Sequence, residues 1–246
     1  MTILVGILCQ DGVVIGSDSS ATFSSPSFPT IEQLCKKIKI IDTRIIIAGT
    51  GEVGLGQRFI DIVTRFWHNK GFMNKTPIMA CTEICKEAVL NFIATRSKIE
   101  YGALMAFAVN GRFILCEFPP GKLQPELKGY DGNLWYVAMG SGQMIADPFL
   151  GFIRRIFWKD TPPTNINGGI FAALWTLKHT INLNPGGIQG PPQIGVLKRE
   201  GKEIKARMLE ADELEEHKEN IKELELYIGK YKDIMAGKSE AKIPEP

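Results

Sequence analysis

Nothing in the charge of this 246-residue chain favours an anionic partner. Its 29 Lys and Arg face 27 Asp and Glu, a net of +2, so no long-range field argues for nucleic acid or an acidic membrane surface. Long apolar runs are also lacking. No stretch approaches the roughly 18 apolar residues a membrane helix requires. The N-terminus has no basic segment leading into an uninterrupted apolar one, which argues against a secretory leader. The five cysteines, Cys9, Cys35, Cys81, Cys85 and Cys116, are odd in number and show no CxxC spacing. Set in apolar segments, they read as reduced, buried thiols and point to a cytoplasmic location. Cys81 and Cys85 stand four apart on an expected helix face, but no His or further Cys lies at ligand spacing beside them, so they read as core. His68, His179 and His217 share no motif. No metal or cofactor is expected.

What is present is an ordinary globular composition, 44% apolar and 23% charged, enough to bury one full core. Residues 3–8 and 13–17 read as strands joined by the turn Gln10-Asp11-Gly12, and a Ser/Pro loop over 24–30 leads to strands at 37–42 and 44–48. Helices are expected over 51–69 and 77–96, where apolar residues recur at helical spacing. Strands follow at 104–109, 113–118 and 134–139, the first two joined by Asn110-Gly111. Helices at 142–158 and 168–183 and strands at 193–198 and 203–208 complete the order. Strands, two helices, strands, two helices, strands: two antiparallel sheets face to face, with helix pairs outside, satisfy this order with short connections. The expected fold is α+β, a four-layer αββα sandwich over residues 1–209.

Beyond it, Leu214, Ile221, Ile228 and Met235 recur every seven residues. This predicts an amphipathic helix over 210–235, either folded back on the domain or used in self-association. The tail 236–246 has the composition of a disordered segment. Gly51-Glu52-Val53-Gly54-Leu55-Gly56 follows a strand and opens a helix, but it is not GxGxxG and no βαβ unit surrounds it, so a phosphate site is not expected.

The chain opens Met1-Thr2 directly before a strand. Removal of one residue would place a threonine with a free α-amine at the tip of a buried strand, and that amine, with an ordinary pKa of about 7.7 to 8.0, can take the hydroxyl proton. Four further blocks follow in order: Asp11-Gly12-Val13-Val14 in a hairpin, Asp18 ahead of Ala21-Thr22, Lys37-Ile38, and Ala48-Gly49-Thr50-Gly51 between strand and helix. With Thr2 at its head, this series resembles the proteasome β-subunit superfamily, including the bacterial HslV and Anbu-type homologues. The resemblance is strong over residues 2–56 and returns at Met139-Gly140-Ser141-Gly142.

Carried over residue by residue, the resemblance implies Thr2 as nucleophile and its α-amine as proton acceptor. Asp18 and Lys37 would form a buried charge pair beneath it, Gly51 N–H would be the oxyanion donor, and Ser141 would hydrogen-bond the amine. The alternative for Asp18 and Lys37 is a surface ion pair worth under about 1 kcal/mol. Thr22 and Gly51 would hold an extended peptide by strand addition. Pocket positions would be Ala21, Cys35, Lys39, Gly49, Val53 and Gln57, with Gly49 leaving the pocket deep and Lys39 favouring an acidic side chain. Two departures stand out. The acidic residue and serine usual before the penultimate strand are missing from residues 182–192, and the segment from Asp18 to Lys37 is about three residues longer than usual, so that residues 23–29 could reshape the groove.

The resemblance implies a cytoplasmic, self-compartmentalising threonine peptidase with an N-terminal nucleophile exposed after Met1 removal. It would act on peptides or unfolded proteins as a homo-oligomeric ring or stacked rings, with an ATPase unfoldase as a possible partner and neither nucleic acid nor membrane. Two alternatives are a peptide ligase built on the same acyl-enzyme and a catalytically weak structural ring subunit.

Overall fold

A computed structural model describes residues 1–25, 28–129, 134–159, 161–183 and 187–237. The chain divides into two compact units between Leu209 and Glu210. In the first, β1 (Leu4–Leu8) and β2 (Gly12–Ser17) form the opening hairpin, and β3 (Ser20–Ser25) and β4 (Phe28–Leu34) a second one. Then come β5 (Ile38–Ile41), β6 (Ile45–Gly51), the helices α1 (Val53–His68) and α2 (Pro77–Ala94), β7 (Tyr101–Val109), β8 (Arg112–Phe118), the short β9 (Glu126–Leu127) and β10 (Tyr136–Met139). Helix α3 (Gln143–Ile153) runs into one π-helical turn (Arg154–Trp158), and α4 (Ile166–Leu183), β11 (Gln193–Glu200) and β12 (Glu203–Met208) follow. The second unit carries α5 (Glu213–Met235).

Two five-stranded antiparallel sheets, ordered β10-β1-β2-β11-β12 and β5-β6-β7-β8-β9, form the middle of the sandwich. Their inner faces meet through Leu4, Val13, Ile15 and Leu197 on one side and Ile38, Ile46, Ala48, Leu104 and Leu115 on the other. Every residue of β2 is buried, as befits a central strand covered on both faces. On the outer face of the second sheet, α1 and α2 bury Leu55, Phe59, Ile62, Val63, Ile84 and Phe92 against Ile45, Ile47, Met105 and Phe107. On the outer face of the first, α4 lies over β1 and β2 with α3 packed beside it. Gly169 permits this approach, because a Cβ there would meet Cys9 Sγ and Val14.

The α+β class and the four layers are those the sequence predicts; the distribution of strands between sheets is more interleaved. β5 and β6 pair with β7 and β8 in the second sheet, while β10 adds to the edge of β1 in the first. The expected loop at 24–30 is largely strand: β3 and β4 pair in a two-stranded sheet with Ala21 opposite Gln33 and Thr22 opposite Glu32. Ser and Pro content hid this hairpin, since β-propensity reflects packing that sequence does not display. Residues 26 and 27 lie outside the described ones, and so does the tail from 238. In α5, the heptad positions Ile228 and Met235 are exposed, together with Leu226, Tyr227 and Tyr231. Among the described residues no helix is long and apolar enough to cross a membrane. Cys9, Cys81, Cys85 and Cys116 are buried and unpaired, whereas Cys35 is half-buried.

Burial pushes the Cys9 thiol up from 9.0 to about 12, reinforced by the nearby Asp11 carboxylate. A raised folded-state value means that Cys9 holds its proton after the unfolded chain has lost its own. Its stabilising contribution is therefore full below pH 9.0 and is lost as pH rises towards 12. Denaturant midpoints measured across that alkaline window should decline in the wild type and decline less steeply in Cys9→Ala.

Candidate active site

β1 begins two residues after Thr2, and the hairpin to β2 returns the chain so that Asp18, just past β2, lies beside it. Asp18 is fully buried. Its carboxylate accepts from the backbone N–H of Ile3 (3.0 Å) and of Ser20 (3.2 Å) and pairs with Lys37 Nζ at 2.8 and 2.9 Å. This is a buried ion pair, with the two side chains 7% and 0% exposed, and the surface alternative is ruled out. Every Asp18 oxygen has a donor, the condition under which a buried carboxylate is tolerated. Lys37 Nζ also donates to Thr2 Oγ1 at 3.0 Å, which brings a cation to that hydroxyl.

Thr2 itself is held from the other side. Its amide N–H donates to Ser141 Oγ (3.1 Å), and its Oγ1 donates to the Met1 carbonyl oxygen (2.8 Å), which accepts from Lys37 Nζ as well (3.2 Å). Ser141 reaches Thr2 because the chain turns sharply after β10 at Gly140. The φ of +102° there suits glycine, and a Cβ would collide with the Thr2 carbonyl oxygen while lying 3.3 Å from Thr50 Oγ1. Thr2, Gly140 and the end of β6 thus meet at one point. Gly51 (φ +106°) closes β6, where a side chain would strike the Glu100 carbonyl. Helix α1 starts two residues later with no side-chain cap at Glu52, so the unsatisfied N–H groups and the dipole of its first turn lie near Gly51.

The structure therefore brings Thr2, Asp18, Lys37 and Ser141 into hydrogen-bond contact and sets the β6 end carrying Gly51 beside them. Among the pocket positions, Lys39 sits exposed on the edge strand β5 opposite Ile47, and Val53 and Gln57 are exposed one turn apart at the start of α1. Ala21 and Thr22 lie on β3, the backbone of which pairs with β4. Cys35 donates its N–H to the Ser19 carbonyl. Burial pushes its thiol up, with the Lys37 ammonium pulling the other way, so at neutral pH it is a thiol. The depth expected behind Gly49 is occupied: a Cβ there would stand 2.5 Å from the Tyr101 hydroxyl.

Gln193 was not visible in the sequence as a site residue. At the head of β11, opposite Ser17, it accepts from the Lys37 N–H at 3.1 Å and donates to the Cys35 carbonyl at 2.5 Å. This two-point clasp fixes the backbone that carries Lys37. Its only sequence signal is a polar residue where a buried strand begins. In the divergent stretch before β11, Gln189 accepts from the Ser19 N–H at 3.2 Å, so that segment touches the site; residues 184–186 lie outside the described ones.

Asp18→Asn should strand the buried Lys37 charge and cost about 3–5 kcal/mol of unfolding free energy, measured by denaturant titration. Gln193→Leu leaves two backbone groups unpaired and should cost about 1–3 kcal/mol while keeping the ion pair.

The comparison with protein families agrees with this geometry. Compared with curated proteins, the sequence finds no match. The family model described as Proteasome subunit matches residues 2–151, more than half of the chain and a span that begins at Thr2 and includes Asp18, Lys37, Gly51 and Ser141. The chain belongs to the proteasome subunit family.

Proposed function

We propose that the chain is a threonine peptidase whose nucleophile is Thr2 Oγ1, freed by removal of Met1. One observation carries this reading: Lys37 Nζ lies 3.0 Å from Thr2 Oγ1 while Asp18, itself satisfied by two backbone N–H groups, holds that lysine. A structural subunit has no need to bury an ion pair under a hydroxyl at a strand tip, because such a pair is weak support for stability. Family membership supports an N-terminal-nucleophile hydrolase.

In the proposed reaction the free Thr2 amine takes the proton from Oγ1, directly or through a water, and the Lys37 ammonium lowers the cost of the developing alkoxide. Oγ1 adds to the scissile carbonyl carbon, and its oxygen takes up negative charge facing the Gly51 N–H and the first turn of α1. The C–N bond breaks as the departing amine receives the proton, leaving an ester on Thr2. Water, activated by the same amine, then attacks the ester and regenerates the hydroxyl. Ser141 orients the amine throughout. β3 begins two residues after Asp18, and a peptide adding as a further strand there would meet its backbone groups.

Peptide substrates and assembly into rings accompany the family. The ring proposed here is homo-oligomeric. Met144, Phe152, Ile156 and Phe157, exposed on α3 and the π-helical turn, supply an apolar face that a second copy would cover. A cytoplasmic setting and an ATPase unfoldase as partner belong to the same proposal.

Two measurements test it. The intact mass of the protein recovered from cells should be one methionine lighter than the encoded chain; a retained Met1 blocks the amine and overturns the mechanism in this form. Thr2→Ala should abolish covalent labelling by a peptide vinyl sulfone while native mass spectrometry still reports the wild-type oligomer, and labelling that persists would move the nucleophile elsewhere.

A further inference from the structure

Tyr101 opens β7 opposite Gly51, and its ring turns to the outer face of the second sheet, where it packs on Phe59 and Phe92 with centroids 5.5 and 6.4 Å away. The residue is 3% exposed, and its hydroxyl has no hydrogen-bond partner among the described residues. Burial pushes the phenol above its ordinary value, so the hydroxyl keeps its proton. An orphaned buried donor is costly, and its position identifies what the ring achieves. A Cβ on Gly49 would stand 2.5 Å from the hydroxyl and 2.7 Å from the ring, and one on Gly56 3.0 Å from the ring. Two glycines, one on β6 and one on α1, make room for this single side chain.

The space it fills is one residue along β6 from Thr50. Thr50, beside Gly49, has its hydroxyl at the point where Gly140 meets Thr2. Because side chains alternate along a strand, Gly49 faces away from Thr50, towards α1, on the face shared by Ile47 and its partner Lys39. Val53 and Gln57 stand exposed on the first turns of α1. Lys39 shares that face of the sheet, Val53 and Gln57 stand at the start of the helix it faces, and the Tyr101 hydroxyl is pressed against the same face of Gly49.

We infer that Tyr101 is a specificity-determining residue, closing the space in front of Gly49 to all but small side chains on the acyl side of the scissile bond. The inference rests on the peptidase reading of Thr2. A glycine at position 49 by itself would leave a deep slot; the phenol ring removes it. A bulky substrate side chain would have to displace Tyr101 from its packing with Phe59 and Phe92, and close-packed interiors resist such shifts.

The test uses peptide vinyl sulfones that differ only in the residue bearing the electrophile, Ala, Leu or Phe. The rate of adduct formation on Thr2 is followed by intact mass and peptide mapping on the assembled protein. Wild type should react at least about tenfold faster with the Ala probe than with the Phe probe, the order expected when a pocket lacks volume. Tyr101→Leu should bring that ratio near one or invert it, and Tyr101→Phe, which removes only the hydroxyl, should shift it the same way by less. Equal labelling of wild type by all three probes, or an unchanged ratio in folded Tyr101→Leu, overturns the inference and leaves the peptidase reading standing. Absence of labelling by every probe overturns both. Should Tyr101→Leu fail to fold, the wild-type ratio and the Tyr101→Phe shift decide.

Discussion

The ion pair between Asp18 and Lys37 is the constraint around which the rest of the molecule is arranged. A carboxylate with no exposure can persist only where donors surround it, and Asp18 finds them in the backbone of Ile3, the backbone of Ser20 and the lysine ammonium. Each donor fixes a different piece of chain. Ile3 sets the height at which the first strand begins, Ser20 sets the entry to the β3–β4 hairpin, and Lys37 sets the entry to the second sheet. Thr2 lies at the junction of all three, so the position of its hydroxyl follows from the electrostatic requirement of a neighbour.

Gly140 and Gly51 complete the junction by what they lack. Both occupy backbone conformations with positive φ, and both bring one strand end close to another chain segment. A side chain at Gly140 would strike the Thr2 carbonyl and crowd Thr50, and one at Gly51 would strike the Glu100 carbonyl, both close to where Thr2, Ser141 and the start of α1 converge. The site is thus a seam between layers, and its rigidity derives from the core between the sheets beneath it, where Leu4, Ile15, Ala48 and Met139 are buried.

Much of this was legible in the sequence, because the features concerned are local. Short continuous apolar runs specify β1 and β2, Asp11-Gly12 and Asn110-Gly111 specify turns, and the spacing of Leu55, Phe59 and Ile62 specifies a helix face. Thr2, Asp18, Lys37 and Ser141 were legible by their resemblance to a known series. What stayed hidden depends on pairs distant in the chain. The β3–β4 strands lack an alternating apolar pattern, the Gln193 clasp joins residues more than 150 positions apart, and the depth behind Gly49 is decided by Tyr101, half a hundred positions on. A glycine in a sequence announces room; only the fold shows what takes it.

The Gln193 clasp also bears on timing. Synthesis delivers the N-terminus first, and pairings between distant segments form late because loop closure must precede them. Thr2, Asp18 and Lys37 leave the ribosome early, but Ser141 arrives about a hundred residues later, and β11, which flanks β2 and carries the clasp on Lys37, later still. A nascent chain therefore holds the proposed nucleophile without the geometry around it. The distance along the chain acts as a delay, keeping the hydroxyl unarmed until both sheets are in place.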